Sequence, residues 1–464
     1  MQYRTEIDTH GKVEVPANAY YGAQTARSLD YFRIGGQTFP RRFIRALGLV
    51  KRAALQALAE LGYLSPEKAK WVLQATDEVI AGELDAHFPL VVWQTGSGTH
   101  THMNANEVIA NRANELAGSP LGSKHPIHPN DDVNLGQSTN DVFPTAMHVA
   151  VVEELQTRVI PAVTEVHDRL REHAEDCAGI IKIGRTHLMD AVPMTLGQEF
   201  AAWARQAEAG RDRLVLALEG LHEVSLGGTA VGTGLNAPAG YAEAAVKHLA
   251  ALTGQPFRMA RNKFEGQAAH DALVFASGAL RNLAVGLMKV ANDLRLLGSG
   301  PRCGLGELSL PANEPGSSVM PGKVNPTQCE ALTMVCTQVM GLDAAIAIGG
   351  SSGHLQMNAF KPLLVANILT SCELLGDSCR SFAEHCLVGL KPNGTVIRQH
   401  VNRSLMLATA LNPHLGYEGA AQVVKKALAE DLTLREAAAE LGVMDHATFD
   451  RLVDIEKMSG LANE

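Results

Sequence analysis

The sequence predicts an all-α fold built around long bundled helices, and three observations lead there. Hydrophobic residues make up 46% of the 464 positions but aromatics only 5%, so Ala, Leu and Val must do the packing. Such side chains suit close-packed helices better than an aromatic-rich sandwich of sheets. Between about 265 and 297, Ala269, Leu273, Ala276, Leu280, Leu283, Leu287, Val290, Leu294 and Leu297 alternate spacings of four and three without a break. That is a coiled-coil-like seam, and its alanines let a neighbour approach closely. Segments at about 327–348 and 358–386 are apolar on more than one face, which asks for more partners than one chain supplies. An oligomeric bundle is the expectation.

In chain order, the opening segment from Arg4 to Thr25 is polar and reads as irregular. Helical patterns follow at about 41–61, 66–83 and 104–117. Val152, Leu155, Val159, Val163, Val166 and Leu170 then mark one long helix from Asp141 to about 177, with Asp141 able to cap it and Pro161 bending it. Another helix is predicted over about 195–222. From about 396 the chain becomes more charged, with helical stretches at 405–411 and 420–441 and no catalytic cluster. The expected division is a mainly helical N-terminal domain (1–138), a central long-helix bundle (139–395) and a small C-terminal helical domain (396–464).

Several function classes are disfavoured. A formal charge of −9 leaves no basic excess to meet nucleic-acid phosphates. No uninterrupted apolar run approaches the ~20 residues that span a bilayer, so no membrane partner is expected. None of the seven cysteines forms a Cys-x-x-Cys pair. Cys372, Cys379 and Cys386 recur every seven residues, ~10 Å apart on a helix, too far for disulfides or for sharing a small cluster. They read as core thiols in a reducing compartment. The first twelve residues show no apolar or Arg/Ser-rich leader, so a cytoplasmic location is expected. The glycine-rich stretch 227–236 lacks the Lys-Ser/Thr and strand–helix context of a nucleotide cradle. His100 and His102 stand two apart, a spacing that chelates from a strand but not from a helix face, and no third ligand is evident. No metal or organic cofactor is expected.

The chemistry concentrates in polar turns. Gly316-Ser317-Ser318-Val319-Met320-Pro321-Gly322-Lys323-Val324-Asn325-Pro326 must be a loop, since its glycines permit unusual backbone angles and its prolines forbid helix. Two hydroxyls, an ammonium and a carboxamide gather there, with Glu330 close behind, and such donors suit a bound carboxylate. An arbitrary stretch of this composition would be a solvated surface loop. Thr95-Gly96-Ser97-Gly98-Thr99 leads into a helix and offers free amides and hydroxyls to an anion, a plain helix cap being the bland alternative. Ser138, Thr139 and Asn140 face whatever lies before the long helix, where negative charge is favoured. His187 stands within Gly184-Arg185-Thr186-His187-Leu188, although a lone histidine is more often structural.

Residues 316–326, continued by Thr327-Gln328-Cys329-Glu330, resemble the signature loop of the fumarase/aspartase superfamily, and the class II fumarases most closely. Gln137–Thr145 and Gly184–Ala191 resemble two further signatures in the right order, and the likeness covers essentially the whole chain. It implies the three-domain superfamily fold and a homotetramer with each site drawn from three chains. It also implies fumarate and L-malate as substrates, reversible hydration through an aci-carboxylate, and no cofactor. Carried over by position, Ser97, Gly98, Thr99, Ser138, Thr139, Asn140, Thr186, Ser318, Lys323, Val324 and Asn325 surround the substrate. Ser317 matches the serine that takes the carbon proton, Lys323 meets the charge that develops, and His187, oriented by Glu330, acts on the oxygen side. His128, Pro129, Asn130 and Asp131 correspond to a second dicarboxylate site. The chain departs from the pattern after Thr99, where fumarases usually have Gln, a small hydroxyl residue, Asn, Met and Asn, but this sequence has His100-Thr101-His102-Met103-Asn104.

Two alternatives stand beside this reading, an aspartate ammonia-lyase of the same fold and a catalytically silent helical scaffold. Gly322 with Thr327–Glu330 speaks against the first, and the intact Ser317, Lys323 and His187 set against the second. Chain length adds a constraint. A helix from 141 to about 177 rises roughly 50 Å, while the ten or so residues after it reach ~35 Å at most. Asn140 and His187 of one chain are therefore expected in different sites. Replacing Ser317 with Ala should remove most turnover and leave the fold intact, because the loop lies outside the core seam. A variant with near-normal kcat would take the carbon base away from Ser317.

Overall fold

The structure is a computed structural model in which residues 2–461 are described. Helices dominate, and the strands pair only two at a time. The chain divides into two units, one of residues to 161, 212–284 and 337–376, the other of 162–211, 285–336 and 377 onward.

In the first unit the Arg41–Glu60 helix buries Phe43, Leu47, Val50, Ala54 and Leu58 along one face. It packs against the Pro66–Ala81, Tyr241–Thr253 and Thr139–Glu154 helices. Start and stop signals are local: Ser65 Oγ accepts from the Lys68 amide, Pro66 opens the helix, and Gly82 closes it at φ 92°. The opening segment is a hairpin rather than irregular, with Tyr3–Asp8 antiparallel to Gly11–Pro16. Its inner side sets two charges, Arg4 and Glu6, opposite Val15 and Val13 of the second strand. Arg4 grips Glu6 and donates to the carbonyls of Pro16, Ala19 and Tyr21 at 2.8–2.9 Å.

The long helix forms as Thr139–Glu154, a π turn at Leu155–Val159, and Ile160–Asp176. The π turn lies just before Pro161, whose missing N–H leaves the Thr157 carbonyl without its usual partner four residues on. The seam predicted from 265 breaks at Ala269, which is extended, so the helix is Asp271–Leu297 with a short Lys263–Ala268 helix before it. The sequence predicts no membrane-spanning run, yet Asp271–Leu297 and Thr327–Ser351 reach the length and average hydropathy for one. Leu, Val, Ile, Ala, Met and Cys raise those averages, while polar residues such as Ser277, Arg281 and Lys289 in the first and Thr337 and Asp343 in the second interrupt every apolar run.

In the second unit the C-terminal segment packs Leu411, Val423, Leu434, Ala438 and Phe449 into one core together with Ile183. The pattern at 405–411 is a 3-10 helix, and that at 420–441 is two helices. Asp431 at φ 52° ends the first of these, and a Thr433/Glu436 capping box starts the second. Six of the seven cysteines are buried and all are free thiols.

The Ile181–Thr186 strand is pinned by a charge cluster around Glu307, which is fully buried. Arg185 lies 2.7 Å and His400 3.1 Å from Glu307 Oε1, and Lys182 sits 3.1 Å from Oε2 while bonding Glu199 at 2.5 Å. Oε2 has no hydrogen-bond partner among the described residues, so the Lys182 approach is an ion pair only. Burial pushes the Glu307 carboxyl up, but Lys182 and Arg185 outweigh it and hold it below the usual range. A depressed carboxyl stabilises the fold above its unfolded pKa and loses that contribution as pH falls through its folded value. Glu307→Gln should therefore destabilise by about 3 kcal/mol at neutral pH, read as a lowered Tm. The gap to wild type should shrink on acidification below ~4. A gap unchanged in acid would place the stabilisation elsewhere.

Candidate active site

Two helix N-termini meet in the first unit. Gly98 caps the Thr99–Leu116 helix at φ 82°, and a Cβ there would stand 2.3 Å from the Phe143 ring, so only glycine serves. Ser97 Oγ and Thr99 Oγ1 lie 2.7 Å apart in the same turn. Behind it a Cβ on Gly96 would meet the Ala359 carbonyl at 1.7 Å, and the Lys361 amide donates to Gly96 O. The second terminus begins two residues earlier than the sequence suggests. Ser138 is its cap and Asp141 acts from inside the first turn, because the two residues form a reciprocal capping box.

Asp141 organises the surroundings. Its carboxylate accepts from the Ser138 amide at 2.9 Å, the Gly227 amide at 2.9 Å and the Thr229 amide at 3.1 Å. Burial pushes its pKa up to about 6, against the pull of those amides and of Lys51. The glycine-rich stretch is thus a turn held by a carboxylate, and Asn140 Nδ2 donates to its Ala230 carbonyl at 2.8 Å. Lys51, fully buried, donates to Asn134 Oδ1 and Gln137 Oε1, and burial holds its pKa well below the usual lysine value. The sequence offered one sign of it: Lys51 lies four residues from Leu47 and Leu55, on the apolar stripe of its helix.

The two departing histidines have separate partners. His100 Nδ1 lies 3.0 Å from Ser28 Oγ with its ring against Phe32, whereas His102 Nδ1 lies 2.8 Å from Thr139 Oγ1. The second contact joins the 97–99 turn to the 138–140 turn. His128 caps the Pro129–Val133 π turn, accepting from the Asn130 and Asp131 amides at 3.2 Å. His128, Pro129 and Asn130 line a cavity of about 640 Å³ together with Arg27, His100 and Lys124.

The remaining candidates lie in the second unit. Thr186 pairs with Met189, leaving His187 and Leu188 as a two-residue hairpin tip with φ of 56° and 64°. Positive φ at both positions is the primed turn that matches strand twist, and for non-glycine residues it is strained. The tip is exposed. In the 316–326 loop Gly316 N donates to Lys323 O, and Asn325 Nδ2 returns to Gly316 O at 2.6 Å. Ser317 Oγ accepts from the amides of Val319 at 3.1 Å and Met320 at 3.0 Å. Two N–H groups aimed at one hydroxyl oxygen favour negative charge on it. Ser318, Lys323 and Val324 are exposed, and Glu330 stands exposed on the first turn of the Thr327–Ser351 helix. No hydrogen bond or ion pair joins His187 to Glu330 within one chain among the described residues.

Comparison with known proteins gives these turns a context. The family described as lyase matches residues 11–341, and the fumarase C C-terminus matches residues 407–460. A class II fumarate hydratase of Thermosynechococcus vestitus is 61% identical over 98% of each chain. The mitochondrial fumarate hydratase of Rattus norvegicus is 54% identical, covering 99% of this chain and 90% of its own. The crystal structure of a class II fumarase from Schistosoma mansoni matches with a TM-score of 0.96 at 43% identity, covering 99% of each chain. A fumarate lyase/delta crystallin from Brucella melitensis matches with a TM-score of 0.94 at 44% identity, covering 99% of this chain and 100% of its own. With near-complete coverage at these identities, and with all three signature turns formed, the chain belongs to the class II fumarases of the fumarase/aspartase superfamily.

Proposed function

We propose that this chain hydrates fumarate reversibly and stereospecifically to L-malate. The observation that carries the reading is the Ser317 hydroxyl, held by two backbone amides in a loop that also presents Lys323 and Asn325. Malate dehydration requires removal of a proton from the carbon beside a carboxylate. The resulting carbanion is tolerable only as an aci-carboxylate with two negative oxygens, so fixed donors must face them. The paired helix N-termini supply amides, with Ser97, Thr99, Ser138, Thr139 and Asn140 as side-chain donors. Lys323, Asn325 and Thr186 complete the set. Ser317 takes the carbon proton, and its two amide donors are what make so weak an acid usable as a base. His187 protonates the departing hydroxyl and activates water in reverse. No organic or redox cofactor enters this chemistry.

The site belongs to an assembly in this reading. The long helix comprises segments of 16, 5 and 17 residues in direct succession. An unbroken straight helix of that length would rise roughly 57 Å, more than the stretch from 177 to 187 could span back even fully extended. In this reading the Asn140 and the His187 of one site come from different copies, and Glu330 orients His187 across the same contact. The surfaces support this. Only 28% of the apolar window of Thr327–Ser351 is buried, with Met334 at 68% and Ile348 at 66% exposure. The hairpin tip leaves Leu188 at 74% and Met189 at 69%. Apolar faces of that extent call for a partner surface. We read a homotetramer with sites shared by three chains, cytoplasmic, with boundaries at 138/139 and 395/396. His128–Asp131 remains a second dicarboxylate site in the same reading.

Offered L-malate, the purified protein should generate fumarate, seen as the ultraviolet absorbance of the new double bond, and should leave aspartate unchanged. Turnover of aspartate but not malate would make it an ammonia-lyase. Silence on both from folded assemblies would leave a scaffold.

A further inference from the structure

His102, where the chain departs from the family pattern, sits on the first turn of the Thr99–Leu116 helix and is almost wholly enclosed. Nδ1 lies 2.8 Å from Oγ1 of Thr139, the first residue of the other substrate-facing helix. Nε2 is buried without a hydrogen-bond partner among the described residues. The nearby charges are Lys51, held by Asn134 and Gln137, and Asp141 beyond it. Burial, reinforced by Lys51, pushes the imidazole pKa well down, so the ring is neutral and carries a single proton.

The position of that proton decides what Thr139 can do. A buried N–H without an acceptor is rarer and more costly than an unused lone pair, so the proton belongs on Nδ1, which has a partner. Nδ1–H then donates to Thr139 Oγ1, and the hydroxyl hydrogen of Thr139 is released to donate elsewhere. In the other tautomer Thr139 would spend its hydrogen on His102 and turn only lone pairs toward an anion. We infer that His102 is a positioning residue that commits the Thr139 hydroxyl to donate to the substrate carboxylate. The inference rests on the fumarate hydration proposed above.

Asn and Gln at this position separate the two ring nitrogens, since the Asn amide reaches the place of Nδ1 and the Gln amide that of Nε2. His102→Asn should keep kcat/KM within about threefold of wild type, a difference well under one hydrogen bond to a charged group. His102→Gln should lose about 10- to 100-fold, carried by KM for fumarate and malate rather than by kcat. Thr139→Val should lose as much, and the His102→Gln/Thr139→Val double variant no more than Thr139→Val alone. A His102→Gln protein with wild-type KM overturns the inference, and so do losses that multiply in the double variant. Should His102→Gln fail to assemble, Thr139→Val against Thr139→Ser tests the same hydroxyl. KM must rise in the first and not in the second, and equal KM values overturn the inference. A wild-type protein without hydratase activity would instead remove the reading on which it rests.

Discussion

A carboxylate without water around it must find donors in the chain, and Asp141 finds three backbone amides from two separate segments. Burial alone favours its protonated form, which would weaken its half of the capping box. The amides of Ser138, Gly227 and Thr229, with the Lys51 cation behind them, offset that cost. The long helix and the 227–234 turn are thereby fixed to one another. Everything at this end inherits the constraint: Asn140 reaches Ala230, Thr139 meets His102, and through His102 the Gly98 turn is held in place. The donors are set before any ligand arrives, which is how fixed dipoles stabilise charge without reorganising.

The groups proposed to perform proton transfer are presented in the opposite way. His187 stands on a strained hairpin tip and Lys323 in a loop, both exposed. What is rigid is their footing. The Glu307 cluster locks Arg185 and Lys182 one and four residues before Thr186, and the Gly316–Lys323 and Asn325–Gly316 bonds close the loop on itself. The first unit thus carries donors fixed by buried hydrogen bonds, and the second carries exposed reactive groups on anchored turns. The proposed sharing of sites between copies would bring the two sets together.

Most of the helical frame was legible because apolar residues at spacings of three and four are a strong signal. Leu47, Ala54 and Leu58 announce the Arg41–Glu60 helix, and Val152 to Leu170 announce the long one. The hairpins were not legible. In Tyr3–Asp8 and Ile181–Thr186 the buried positions include Glu6 and Lys182, satisfied by ion pairs, so the apolar residues do not mark the buried face. The break before Asp271 was hidden because Ala269 fits the seam by spacing while its backbone is extended. The polar turns were legible as motifs, but their wiring was not. That His102 would reach Thr139, or that Lys51 would lie under Gln137, depends on which helices pack together. Within the 420–441 region, the Thr433-x-x-Glu436 pattern was a start signal available from the residues alone.

The claim that most distinguishes this account is that Asn140 and His187 serve one dicarboxylate site from different copies of the chain. Subunit mixing tests it with two inactive variants, Asn140→Asp, which sets a repelling carboxylate against the substrate, and His187→Asn, which removes the acid. The two are unfolded, combined in equal amounts and refolded. A site revives when both of its contributing copies are intact at the relevant position. With random assortment in a closed tetramer this happens in about a quarter of sites, so about a quarter of wild-type activity should return. Recovery near zero, in assemblies shown to contain both variants, would place both residues of a site in a single chain and contradict the account.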